Sequence, residues 1–139
     1  MHLLNRLLPV TLLLLTGCFG LFDSSTDTIT GEYATSWIDA RRSRAVYRDI
    51  AEQIPAYVFA IGHNERYIIA KQHPLALTGE LVEVVDCTRT AYYILDIVRN
   101  RQPTGQGVSG PLTAEQFRQQ AQRLGLAEVN FSMNYPNCP

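Results

Sequence analysis

Few residues in this chain could carry covalent or acid–base chemistry, so their types and spacing are weighed first. The cysteines are Cys18, Cys87 and Cys138, and the histidines beyond the extreme N-terminus are His63 and His73. A Cys87 thiolate with His63 or His73 as base would form a nucleophilic pair. No flanking motif surrounds Cys87, however, and Cys138 is available to bond with it. His63 and His73 fit no zinc spacing such as H-E-x-x-H. One falls in a turn and the other precedes a proline, so both are expected at the surface. Glu80, Glu83 and Asp96 would do acid–base work only if the fold gathered and buried them. Gly105-Gln106-Gly107-Val108-Ser109-Gly110 matches G-x-G-x-x-G letter by letter. A dinucleotide site needs those glycines to open a helix directly inside a βαβ unit, with an acid about 20 residues on. Here Pro111 intervenes and no βαβ pattern surrounds the run, so a surface loop and no nucleotide are expected. Arg41, Arg42 and Arg44 form a short basic cluster. It reads as a solvated turn, or as a contact for an anionic envelope component or an acidic partner surface. No catalytic residue, metal or diffusible cofactor is expected.

The most specific chemistry lies near the N-terminus. Leu7 to Leu15 (LLPVTLLLL) is a largely apolar run of nine. A permanent bilayer span needs roughly 20 such residues, and Pro9 would weaken a helix there. The run has the shape of an export-signal core. Leu15-Thr16-Gly17-Cys18 then resembles the lipobox of bacterial lipoproteins. That resemblance implies cleavage between Gly17 and Cys18, a diacylglycerol thioether on Cys18 and often an acylated new amine. Two or more acyl chains give stable attachment, at ~0.8 kcal/mol per buried methylene. Phe19, and not aspartate, would follow the lipidated cysteine. By the family's sorting pattern this implies the periplasmic face of the outer membrane, if the host has two membranes. Loss of residues 1–17 removes Arg6 and no acid, leaving 11 basic and 13 acidic residues. No polybasic second membrane signal remains. The alternatives are an ordinary secreted chain or a short uncleaved anchor.

If Cys18 is lipidated, an even pair remains. In an oxidising envelope the default for Cys87 and Cys138 is a disulfide. It would tie the C-terminal tail to the middle of the chain and add roughly 4 kcal/mol in the chain-entropy model.

The elements that must position these residues are mainly strands. The chain has 139 residues, is 46% hydrophobic and carries a formal charge of −1. That length favours one domain, the apolar content argues against disorder, and the neutral balance lacks the basic footprint of a nucleic-acid binder. Residues 18–30 read as the lipidated cysteine and a polar tether, and 31–139 as a single domain. Glu32 to Ile38 alternates with one aromatic face. Arg44 to Ile54 is ambiguous between helix and strand, and a strand ending before Pro55 is favoured. Two β-rich runs flank Gly62-His63-Asn64-Glu65, which predicts a hairpin. Gln72 to Gly79 reads as a loop, Leu81 to Val85 and Thr90 to Val98 as strands, Asn100 to Gly110 as a surface loop, and Glu128 to Met133 as a last strand. Thr113 and Gln116 form a capping-box pair, with Leu112 and Phe117 as a hydrophobic staple. Phe117, Ala121 and Leu124 share a helical face, and Gly125 is the stop. The predicted fold is α+β: a small, mainly antiparallel sheet with one C-terminal amphipathic helix.

The segment from Val58 to Gln72, with its I-G-x-N-x-x-Y-I-I-A-K core at Ile61 to Lys71, resembles a group of small bacterial lipoproteins of unknown function. A later Tyr92-Tyr93-Ile94-Leu95-Asp96 strand fits the same group. The resemblance covers about residues 31–98 and implies no activity. The expectation is therefore a lipid-anchored envelope protein, non-catalytic, held to the membrane by its lipid, whose domain binds a protein or another envelope component through one sheet face or edge. The alternatives are a surface inhibitor or immunity-type protein, acting through a rigid loop such as 100–110, and a small envelope hydrolase.

Overall fold

The structure is a computed structural model that describes residues 23–139. The expected leader, its expected cleavage at Gly17 and the expected lipidation of Cys18 lie outside the described residues.

A first sheet is a four-stranded antiparallel meander, β1 (Ser24–Thr30), β2 (Tyr33–Ile38), β3 (Ala45–Arg48) and β4 (Ala51–Ile54), in that spatial order. Residues 24–30, expected as tether, are thus an edge strand. β1 pairs with β2 from Ser24 opposite Ile38 to Thr30 opposite Tyr33. Its β-branched Thr26, Thr28 and Thr30 suit a strand, and its polar side chains suit an exposed sheet edge. The expected single strand over 44–54 is instead a hairpin, because Asp49 takes a left-handed conformation at φ 52°. Aspartate tolerates that conformation better than most residues.

A second sheet has five strands in the order β10-β9-β6-β5-β11. They are β5 (Val58–His63), β6 (Tyr67–Gln72), β9 (Ala91–Asp96), β10 (Val108–Leu112) and β11 (Met133–Asn134). Its central strands are covered on both faces. Val58, Ile61, Ile68, Ala70, Tyr93 and Leu95 pack against Ile29, Tyr33, Val46 and Ile54 of the first sheet. Tyr67, Ile69 and Ile94 pack on the other side with Leu126, Leu112, Phe117 and Ala121, beneath helix α2 (Ala114–Arg123). Double coverage explains why Tyr67-Ile68-Ile69-Ala70 reads as an unbroken apolar run. Each fully buried isoleucine contributes about 2–3 kcal/mol. The predicted α+β class holds, as three layers: sheet, sheet, helix.

Two local features differ from expectation. The strand expected to run to Val98 stops at Asp96, whose carboxylate accepts the Val98 and Arg99 amides at 3.1 and 3.2 Å and caps a short helix, α1 (Ile97–Asn100). Asn100 is fully buried, taking the Tyr33 hydroxyl at 2.8 Å and donating to Gln53 at 2.8 Å. The segment predicted as a loop over 72–79 holds β7 (Leu75–Leu77), which pairs with β8 (Glu83–Val85) in a separate two-stranded hairpin.

Helix α2 starts as its sequence predicts. The Thr113 hydroxyl accepts the Gln116 amide at 3.2 Å, and the Gln116 side chain accepts the Thr113 amide at 2.9 Å. Gly62 has a role its sequence context did not predict. It lies within β5, where an added Cβ would sit 2.2 Å from the Asn130 carbonyl oxygen. Backbone approach, and not turn geometry, is what requires glycine there.

Candidate functional site

The three neighbouring arginines divide. After β2 the chain turns at Asp39, at φ 64°, into a 3₁₀ turn, Arg41–Ser43. The Ser43 hydroxyl accepts the Ile38 amide at 3.1 Å and lies 2.7 Å from the Ala40 carbonyl, which stiffens the bend. Arg41 and Arg42 project outward and are exposed. Arg44 ends that turn just before the next strand and points inward, with only 6% of its surface exposed. Its guanidinium lies 3.6 Å above the Tyr135 ring, and its Nη1 is 3.7 Å from Asp27. The expected three-residue basic cluster is therefore a pair. Arg44 is a core cation, held by an aromatic face and a carboxylate.

Arg41 and Arg42 line one side of a groove of about 620 Å³, faced by Glu83 and Val84 of β8 and by Pro136 and Cys138 of the tail. Several contacts fix that tail. β11 pairs with β5, and the Tyr135 amide continues the ladder to the Phe59 carbonyl at 2.8 Å. The Tyr135 hydroxyl donates to Asp27 at 2.8 Å. Burial first, then the Asp27 hydrogen bond and charge, push the Tyr135 hydroxyl up to about 12. The Tyr57 hydroxyl donates to the Pro136 carbonyl; burial pushes it up too, with Arg44 and Arg41 opposing. Cys138 is disulfide-bonded to Cys87, with 5.9 Å between their Cα atoms. The predicted pairing is present, and the Cys87 sulfur is committed to that bond instead of standing as a thiol nucleophile.

His73 is not the surface residue its sequence context predicted. It is 3% exposed and stacks on Phe59 with ring centres 4.2 Å apart. Its Nδ1 lies 2.6 Å from the Arg89 carbonyl, which can only accept, so Nδ1 carries the proton. Its Nε2 faces the Asn137 side-chain amide at 3.0 Å. His73 is thus another fastening for the tail. His63 is exposed, as expected, at the opposite end of the β5–β6 hairpin. Asp96 caps α1 and takes Arg66 at 3.2 Å. It lies beside Tyr67, at the end of the sheet away from the β7–β8 hairpin that carries Glu80 and Glu83. The carboxylates are not gathered. Among the described residues no group of three His, Cys, Asp or Glu side chains could hold a metal. Two of the three glycines of 105–110 serve packing. Gly107 lies against the α1 backbone and Gly110 against the Tyr93 ring, both in backbone conformations that favour glycine. The second half of that loop is β10, antiparallel to β9.

Beside the groove, the β7–β8 hairpin shows an unusual surface. Leu77, Leu81, Val82 and Val84 are 66, 82, 45 and 41% exposed, and nearby Ile38 is 60% exposed. The turn is hydrogen-bonded, Thr78 to Val82 at 2.9 Å and Leu81 to Thr78 at 2.9 Å. Leu81 sits at φ 59°, a conformation that is strained for leucine and is seldom kept without a reason. Sequence reasoning placed a strand over Leu81 to Val85, which contains β8, and missed β7 and its pairing with it. The signal was present as two short apolar runs around Thr78-Gly79.

The chain belongs to a family described as "protein of unknown function (DUF3997)", whose profile matches residues 23–134. The matched region begins at the start of the first sheet and ends within β11, before the tail that carries Cys138. Neither a curated protein nor a solved structure matches the chain.

Proposed function

We propose that this protein is a lipid-anchored component of the bacterial cell envelope whose folded domain acts by non-catalytic binding. Lipid on Cys18 holds it to the membrane, and the exposed end built from the 3₁₀ turn, the β7–β8 hairpin and the fastened tail meets an envelope component. The observation that carries this reading is the pairing of rigidity with exposure. Arginines face solvent on a groove locked by a disulfide and a strand pairing, and large aliphatic residues face solvent on the hairpin beside it. Solvent-facing aliphatic clusters mark contact surfaces, and a disulfide fits an oxidising, exported compartment. The anchor is assigned to Cys18 because Leu15-Thr16-Gly17-Cys18 resembles a lipobox.

Two measurements test this. Intact-mass spectrometry of protein from its native membrane should show a chain that starts at Cys18 and carries thioether-linked lipid. A bare thiol or a retained leader would refute the anchor. A photocrosslinking residue at Arg42 should capture envelope material that the same residue at Ile50 does not. Ile50 is 97% exposed on the β3–β4 turn, at the far end of the first sheet. Equal capture at both positions would refute the assigned surface.

A further inference from the structure

The chain enters the fold at the same end as the exposed hairpin. Ser24 pairs with Ile38, and the Asp23 carbonyl accepts the Asp39 amide at 2.8 Å. The 3₁₀ turn follows at once and shares its groove with β8. Cys18 is five residues before Asp23. A chain spans at most about 3.3–3.6 Å per residue, so Cys18 stays within roughly 18 Å of Asp23. An anchor so short brings one surface to this end of the domain at high effective concentration: the bilayer that holds the lipid.

We propose that the partner of this end is that bilayer. The tip of the β7–β8 hairpin, Leu81 and Val82, inserts into its interfacial layer, with Leu77, Val84 and Ile38 at the headgroup boundary. The domain then stands in a fixed orientation, with Ile50 and the β3–β4 turn pointing away. Charge does not hold it there. Arg41 and Arg42 are accompanied by Asp23, Asp39, Glu80 and Glu83 at the same end, which leaves no basic patch for anionic headgroups. Attachment is by apolar burial, as for other interfacial elements. The left-handed Leu81 holds the aliphatic tip of a rigid turn outward. The inference rests on lipidation of Cys18.

The test uses the lipidated protein in vesicles of phosphatidylethanolamine and phosphatidylglycerol, with some phosphatidylcholine brominated on its acyl chains near the glycerol. Leu81→Trp and Ile50→Trp are compared after subtracting the emission of the unsubstituted protein, whose Trp37 is buried. Both positions face solvent, so neither substitution threatens the fold. Trp at 81 should shift to the blue and lose most of its emission to the brominated lipid, in low and high salt alike. Trp at 50 should keep the emission of a water-exposed residue. Lipidated protein whose Trp at 81 is unquenched, or quenched no more than Trp at 50, would overturn the insertion and leave the anchor standing. Quenching abolished by high salt would overturn the apolar mode of attachment. A bare Cys18 thiol in the mass spectrum would overturn both the anchor and the insertion.

Discussion

Replacing both Cys87 and Cys138 with serine removes the bond between the turn that follows β8 and the tail. The two residues are separated by 51 positions. For a loop of that length the chain-entropy relation gives about 4 kcal/mol of stabilisation through the unfolded state. Native proteins of this size are stable by about 5–15 kcal/mol, so the loss is a large share. At about 2.1 cal/mol/K per residue over the described domain, the entropy of unfolding is roughly 0.25 kcal/mol/K, and the midpoint should fall by about 16 °C. The serine side chains add little cost, since Cys138 is exposed and Cys87 half-buried. Thermal unfolding followed by circular dichroism, for both forms under identical conditions, reads this directly. Hydrogen exchange at the Tyr135 amide, bonded to Phe59 at 2.8 Å, reports whether the tail also frays below the global transition. A midpoint lowered by less than about 4 °C would refute the reasoning, because the bond would then not restrict the unfolded chain as its loop length requires.

Gly62→Ala should cost about 1–3 kcal/mol, because the new Cβ meets the Asn130 backbone, which must move away with β11 behind it. Gly79→Ala, with nothing near its added Cβ, should stay within about 0.5 kcal/mol; denaturant midpoints compare the two. Thr113→Ala removes half of the capping box and should lower stability by about 1 kcal/mol in the same assay. Tyr135 is held neutral by burial and by Asp27, so its folded value, about 12, lies above the ordinary 10. The stability this confers is complete below pH 10 and is lost as pH rises from 10 through 12. Tyr135→Phe should flatten that part of the stability profile, and a tyrosinate titration should lose its latest component.

The elements legible in the sequence are those whose burial is local in pattern. Tyr33, Thr35 and Trp37 alternate to one buried face, and Thr113 and Gln116 mark the helix start by bonds that span three residues. β1 was not legible because an edge strand can be polar on both faces. Only Ile29 of its seven residues is buried, so composition resembled a tether while the pairing partner lay elsewhere. The 45–54 hairpin was hidden for another reason. Its turn uses Asp49 and Ile50 in place of the Asn-Gly or Asp-Gly pair that usually signals such a turn. His73 shows the limit in reverse. Its neighbours suggest exposure, and its burial depends on Phe59, Arg89 and Asn137, which only the tertiary fold assembles.

The candidate site divides along the same line, with a consequence for what it can do. Setting Cys18 aside for lipid left Cys87 and Cys138 as the predicted pair, which the fold joins, and the arginine run marked the turn that lines the groove. The inward rotation of Arg44 follows only from the start of β3 and from Tyr135 waiting beneath it. The groove therefore has two walls of different kinds. The 3₁₀ turn and the hairpin lie inside the segment matched by the family profile, whereas Pro136 and Cys138 lie beyond its end at residue 134. A chain cut after Asn134 would keep the aliphatic tip and lose the far wall. The proposed bilayer insertion would need only the tip and the proposed anchor on Cys18. Capture of a solute or a peptide in the groove would need both walls. Binding that survives removal of the tail therefore belongs to the hairpin, and binding lost while the truncated domain stays folded belongs to the groove.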